Sequence, residues 1–439
     1  MTPAECRSYL KRLERFGIKL GLDNIRSLLG ALGNPHRAYP CLHVAGTNGK
    51  GSVCAMIAEA LTRNGLKAGL YTSPHLVRVE ERIRVGGKLI ASADFRRLAG
   101  EIKDRSEGLL AAGTLEAPPT FFEVLTAIAM LYFREKKVDI AIFEVGMGGR
   151  FDATNVVTPL VSVITNIALD HQEYLGKTLG AIAFEKAGII KPGVPVVTGV
   201  ERGTALKVIR ERAAEEHAPL VKAFGEGSRL ESRRDGHGYR FTYRFGGDVF
   251  RFTPSLTGEH QGKNAAVALA ALSVLSERWR KIDAACMIEG VENARWEGRL
   301  ELAGRLPRLY LDGAHNEAGA AVLRSFIRND LRTRPVLVFT MMKDKAIGRA
   351  ARLLFPEAKK VILTSIPYAR AAKPEEILDL AKPFRRKILL EPSLERALAL
   401  ARREAGPNGV VLVAGSLFLV GAVKKIIPIV RYQNTQSLI

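Results

Sequence analysis

Short runs of Val, Ile, Leu and Ala recur along the chain between longer stretches of helical pattern. "CLHVAG", "VDIAIFEVG", "LVSVITNI" and "VPVVTGV" show no apolar–polar alternation, as expected of strands buried on both faces. With helical stretches between them, they predict a parallel sheet covered by helices. From about Arg229 to Thr253 the pattern changes. "YRFTYRF" alternates and Gly pairs punctuate it, which predicts a small antiparallel meander appended to the first domain. "NAAVALAALSVL" then reads as a helix. "ARWEGRLEL" breaks the pattern, and "LYLDGAHN", "VLVFTMM", "VILTSI" and "VVLVAGS" predict the strands of a second α/β unit. A boundary near Glu297–Arg299 divides the chain into domains 1–297 and 298–439. No internal repeat or low-complexity segment appears.

The strand "CLHVAG" runs into "GTNGKGS", which a helix from about Ser52 to Arg63 follows, with Gly65 as its stop. The glycines let the backbone bring N–H groups close to phosphate oxygens, and the helix adds its positive end. Lys50 supplies a point charge. The loop is shorter than the common G-x-x-x-x-G-K-[ST] pattern, and Gly51 separates Lys50 from Ser52. Strand, G-x-x-G-K-G-S and helix together favour a phosphate site over a plain glycine turn.

Other polar residues follow apolar runs. Glu144 ends "IFE", where it fits equally a magnesium ligand or a cap on the next turn. Asp170 and His171 follow a third strand, Ser73 follows "GLYT", and Asp312 and His315 follow a strand of the second unit. Ligands in such sheets sit at the carboxyl ends of strands. Taken alone, Ser73 before Pro reads as a turn residue and Lys186 as part of a solvated helix face; Asn264 and Arg299 carry no signal of their own.

Composition narrows the picture. With 439 residues, two or three domains are expected. The four cysteines (Cys6, Cys41, Cys54 and Cys286) are scattered without C-x-x-C spacing, which fits a reduced cytoplasm and excludes a disulfide frame or zinc ribbon. No apolar run reaches membrane-spanning length, and the amphipathic start lacks a signal-peptide core. The net charge of +21 is spread along the chain without a basic tail or aromatic–basic interleaving. That distribution suits attraction of small polyanions better than nucleic-acid binding.

"AGTNGKGS", "TSPHL", "EVGMGGRFDATN", "ALDHQEYLG", "EKAGIIK", "GKNAAVALAAL", "EGRLE", "DGAHN" and "VAGSLFLVG" together resemble the folylpolyglutamate synthase/dihydrofolate synthase family of the Mur ligase superfamily, in order and over nearly the whole chain. The resemblance implies a P-loop-type, mainly parallel α/β sheet domain with the antiparallel appendage, followed by a Rossmann-like α/β domain. It also implies an ATP-dependent amide ligase that joins L-glutamate to dihydropteroate and to folate polyglutamates through an acyl phosphate. A monofunctional folylpolyglutamate synthase is the alternative.

By the same resemblance, Gly46, Thr47, Asn48, Gly49, Lys50, Gly51, Ser52, Asn264, Arg299 and Asp312 hold ATP. Ser73, Glu144 and His171 bind Mg²⁺, in two sites, and Lys186 is carried as a carbamate that adds a metal ligand. Lys50, Lys186 and His315 serve the chemistry, with His315 on the glutamate and acyl-phosphate side. Thr120, Phe121, Phe122, Glu123, Phe151, Asp152 and Ala153 form the pterin-side pocket; Phe122 stands where family members often have Tyr, which puts one polar contact in doubt. The expected partners are small molecules, with no nucleic acid and no membrane, for a cytoplasmic monomer. A cell-wall Mur ligase is disfavoured because the phosphate loop begins at Gly46, leaving no room for a UDP-binding domain before it. A nucleic-acid-binding protein is disfavoured by the strand-end array Glu144, His171 and Asp312.

Overall fold

The computed structural model describes residues 1–14, 17, 21–236 and 238–427. The end of the expected 298–439 domain, residues 428–439, therefore lies outside the described residues, as does part of the amphipathic start. The first lobe is built on eight strands: β1 (Cys41–Ala45), β2 (Ala68–Tyr71), β3 (Ile83–Val85), β4 (Lys88–Leu89), β5 (Ile140–Glu144), β6 (Val161–Ile164), β7 (Val196–Thr198) and β8 (Leu220–Lys222). Their order is β4-β3-β2-β5-β1-β6-β7-β8. All neighbours from β2 to β8 are parallel, and β3 and β4 add an antiparallel edge. The central strands β1, β5 and β6 are buried along their whole length, as their unbroken apolar runs require.

Helices cover both faces. On one, Lys50–Arg63 and His260–Arg278 pack on Leu42, Val44, Ile142 and Val163. On the other, Ser92–Ala111 and Phe121–Glu135 enclose Tyr71, Phe143 and Phe133. The predicted meander is β9 (Arg229–Asp235), β10 (Gly238–Phe245) and β11 (Asp248–Phe252). Its alternation places Phe241, Tyr243, Phe250 and Phe252 in the first core.

The second lobe holds β12 (Glu301–Arg305), β13 (Arg308–Leu311), β14 (Val336–Phe339), β15 (Lys360–Leu363), β16 (Ile388–Leu390) and β17 (Val410–Ala414), ordered β12-β13-β17-β14-β15-β16. Only the β12–β13 pair is antiparallel. The strands β8, β12 and β16 are short and only partly buried; β8 and β12 carry polar residues and β16 has three apolar residues only, too short a run to mark a strand. Besides the linker, the described residues join the lobes at the cleft described below and where Leu76 packs on the second core beside the helix Leu417–Ile426. The meander also meets the segment Ile327–Leu331: the Tyr239 hydroxyl donates to Asp330 at 2.7 Å, and Arg234 donates to the Asn329 carbonyl.

Candidate active site

β1 delivers the glycine loop to the carboxyl edge of the sheet. Gly49 adopts φ 80°, and the helix begins directly after it at Lys50, two residues earlier than the sequence suggests. The loop is pinned to the end of β6 and the turn after it. Asn48 N donates to Asn166 Oδ1 at 3.0 Å, Thr165 Oγ1 donates to the Asn48 carbonyl at 2.7 Å, and Ala168 N donates to Thr47 Oγ1 at 3.0 Å. Gly46 has φ 146°, and a Cβ there would stand 1.9 Å from Thr165 Oγ1. At Gly49 a Cβ would stand 2.3 Å from Asn264 Oδ1. Glycine is therefore required by close approach as well as by backbone angle. Lys50 folds back over the loop, with Nζ 3.1 Å from the Gly46 carbonyl.

The loop forms one wall of a cavity of about 410 Å³ between the lobes. Asn264, Arg299 and Asp312 reach the same cavity. Two buried polar atoms at this site have no protein partner, Ser52 Oγ and Gln261 Nε2, the latter on the residue whose Oε1 accepts from Asn264. Asp312 accepts from Leu300 N and Ala314 N, so it also fixes the linker beside Arg299. Burial raises its pKa, and the Arg299 charge opposes that shift.

Glu144 ends β5 at the cavity floor. Its Oε2 accepts from Ser73 N at 3.0 Å. Burial raises its pKa, with Lys50 and the Ser73 N–H as counterweights. Lys186 is only 4% exposed on the helix Leu179–Ala187, which corrects the solvated-face reading. Burial, with Lys50 nearby, drives its pKa down to about 7. No three His, Cys, Asp or Glu side chains among the described residues gather closely enough to hold a metal by themselves. Three carboxylates line the cavity; Asp170 is engaged by Lys345 and Asn316 and Asp312 by two backbone N–H groups, which leaves Glu144 with the Ser73 hydroxyl and the His171 imidazole as the donor set. Such a set suits Mg²⁺, which takes one or two carboxylates and completes its shell with phosphate oxygens and water.

A cluster spanning the cleft was only half legible. Asp170 receives Lys345 Nζ at 2.5 Å and Asn316 Nδ2 at 2.9 Å, and His315 Nε2 stands 3.4 Å away. Burial works against its ionised form, but His315 and Lys345 outweigh burial and hold its pKa well below the usual carboxylate range. Lys345 Nζ also lies 3.2 Å from His171 Nε2. His171 sits in the left-handed region (φ 47°), and burial pushes its pKa down to about 4 against the pull of Asp170. Asn48 and Asn316 exchange amide hydrogen bonds across the same gap. Lys345 and Asn316 escaped the sequence reading; "MMKDK" after an apolar run was the available signal for the former.

A second cavity, of about 330 Å³, adjoins the first. The two share Ser73, Gly146, Met147, His171 and His315. Thr120, Phe122, Glu123, Phe151, Asp152 and Ala153 line the second. "TFFE" is also a capping box: Thr120 Oγ1 accepts from Glu123 N, and Glu123 Oε2 accepts from Thr120 N at 2.7 Å. Phe121 is absent from the cavity wall. As the first residue of its helix it turns toward Arg82 and packs on the neighbouring core. Asp152 accepts from Gly146 N, Met147 N and Thr154 N, which anchors the loop between the two cavities.

Residues 44–272 match the Mur ligase middle domain, and residues 298–417 match the Mur ligase glutamate ligase domain. A dihydrofolate synthase/folylpolyglutamate synthase of Bacillus subtilis is 36% identical over 425 residues, covering 96% of this chain and 98% of that one. The Mycobacterium tuberculosis folylpolyglutamate synthase complexed with ADP superposes with a TM-score of 0.90 at 30% identity, over 96% of this chain and 98% of that one. The E. coli FolC in complex with DHPP and ADP gives 0.85 at 30% identity, over 96% and 97% of the respective chains.

Proposed function

The chain belongs to the Mur ligase family, in its dihydrofolate synthase/folylpolyglutamate synthase branch, and from that premise we propose that it joins L-glutamate first to dihydropteroate and then to tetrahydrofolate and its γ-glutamyl chains. The observation that carries this reading is the shared wall between the two cavities. A nucleotide in the first and a flat acid in the second would meet at Ser73, His171 and His315.

ATP phosphorylates the carboxylate of the folate-side substrate. The glutamate amine attacks the acyl phosphate, forming the amide and releasing phosphate. A carboxylate alone is a poor acyl donor, and phosphorylation supplies the leaving group. Residues 46–52 cradle the triphosphate, with their N–H groups and the helix end facing it. Lys50 leaves its loop carbonyls to neutralise charge on the transferring phosphoryl group. Asn264, Arg299 and Asp312 contact the nucleotide from the wall and the linker. Lys345 presents a cation and His315 an imidazole where the incoming amino acid and the acyl phosphate meet, and Asp170 holds both in place. The second cavity takes the pterin-side group between Phe122, Phe151 and Asp152.

Ser73, Glu144 and His171 would hold Mg²⁺, which supplies positive charge to the phosphate oxygens when bound. Lys186 serves as a carbamate. Its depressed pKa leaves much of the amine neutral at pH 7, the form that reacts with CO₂, and the carbamate replaces a buried cation beside Lys50 with an anion. The protein acts as a monomer.

The test is direct. Purified protein with ATP, Mg²⁺, L-glutamate and dihydropteroate should give dihydrofolate, ADP and phosphate, and tetrahydrofolate should be extended by one glutamate. Extension of tetrahydrofolate alone removes the first activity and leaves the second. No product from either acceptor overturns the ligase reading.

A further inference from the structure

The part of the second cavity not shared with the first holds an arginine that has no acidic partner among the described residues. Arg82 is 7% exposed and lines the cavity. Its Nε donates to His75 Nδ1 at 3.0 Å. The Tyr71 hydroxyl is its other polar neighbour, and the Phe121 ring lies 5.5 Å from its guanidinium carbon. Among the described residues no carboxylate reaches ion-pair distance; Glu144 and Glu14 act on Arg82 only as more distant charges.

A buried guanidinium without an anionic partner is costly unless something accepts its hydrogens. Ring attraction and one imidazole acceptor offset only part of that cost. Glu123 lines the same cavity at 5% exposure, with Oε2 engaged by Thr120 N and, at 3.5 Å, by Asn24 Nδ2. The two opposite charges do not pair. A folded chain that keeps a buried cation and a buried anion apart across a cavity leaves room for a group that satisfies both.

We propose that Arg82 is a substrate-binding residue, the donor half of a clamp that with Glu123 reads the flat head of the folate-side substrate. This rests on the ligase reading above. The reacting carboxylate must lie at the other end of the cavity, beside His171 and His315, so the group at Arg82 is the non-reacting head. The edge it fits carries an oxo acceptor next to an N–H donor. Arg82 donates to the former, and Glu123 accepts from the latter. Such an edge on an aromatic plate suits the Phe122 ring, which lines the cavity and is backed by Tyr71 at 5.9 Å between centroids.

The experiment compares wild type, Arg82→Met and Arg82→Lys by titration with dihydropteroate, tetrahydrofolate and tetrahydrofolate diglutamate in the presence of ADP and Mg²⁺, alongside ADP affinity and melting temperature. Arg82→Met should raise the Kd of all three acceptors by the same factor, about 10- to 100-fold. Its ADP affinity should stay within twofold of wild type, and its ligand-free melting temperature should equal or exceed it, because an unpaired buried charge has been removed. Arg82→Lys should fall between. Acceptor binding by Arg82→Met within threefold of wild type overturns the proposal. So does a loss confined to glutamylated acceptors, which would place Arg82 on the tail. A lowered melting temperature with lost ADP binding in both variants would make Arg82 a structural prop and also overturn it. Absence of acceptor binding by the wild type would instead bring down the ligase reading itself.

Discussion

Replacing Lys345 by Met tests how strongly the second lobe is tied to the first. Lys345 Nζ meets Asp170 at 2.5 Å, with the two side chains 7% and 6% exposed, so solvent screens the pair little. Breaking a buried pair from one side costs about 3–5 kcal/mol, because the remaining charge is left uncompensated. Asp170 retains Asn316 and His315, so the lower end applies, about 3 kcal/mol. Asp170→Asn combined with Lys345→Met removes the stranded charge and should recover part of the loss. The assay is urea denaturation of the four proteins at pH 7, read as a double-mutant cycle, with an expected coupling of at least about 1 kcal/mol. The folded pKa of Asp170 is depressed, so its contribution is fully present above the unfolded value, near 4, and is lost as pH falls further toward the folded pKa. The gap between wild type and Lys345→Met should therefore be constant from pH 5 to 7 and narrow below about pH 4. A coupling under about 0.5 kcal/mol, or a gap that widens in acid, would refute the reasoning.

Lys50→Ala and Glu144→Ala should each lower ligation by about 10²–10³-fold or more while melting within a few degrees of wild type; near-normal turnover by either would remove it from the reaction. Gly46→Ala should abolish ADP binding in calorimetry, since its Cβ would collide with Thr165 Oγ1 and its φ of 146° disfavours any side chain. In ¹³C-bicarbonate, a carbamate resonance should appear at pH 8, be weaker at pH 6 where more of Lys186 is protonated, and vanish in Lys186→Met; a resonance that survives in the variant assigns it to another amine.

The parts of the site legible in sequence are those whose signal is local. The loop 46–52 announces itself through glycine spacing between a strand and a helix, and Glu144 through its place at the end of "IAIFE". Lys186 was legible only by resemblance, because nothing in "AFEKAG" records that the helix buries that face. The Asp170–Lys345 pair joins positions 175 residues apart, and no short-range pattern encodes it. "TFFE" shows a different limit. A capping box and a substrate wall call for the same residues, so the pattern alone could not separate Phe121, which packs inward, from Phe122, which faces the cavity. Arg82 sits in a run of charged residues, "VEERIR", that reads as surface until the strand pairing of β2 with β3 encloses it.

The bond between Tyr239 and Asp330 has a mechanical consequence. Two rigid bodies joined only by a short linker can turn about any direction through that joint. A second attachment point removes all of these freedoms but one: the bodies can then only swing about the line through both fixed points. With the ties across the cleft also made, the lobes are held at several points and have no free turn about the linker. A swing that parted the cleft while the meander contact held would be confined to the axis through that contact and the linker, so the meander acts as a pivot rather than a tether. Tyr239→Phe would weaken that pivot without removing it, because Arg234 still holds Asp330 and the Asn329 carbonyl.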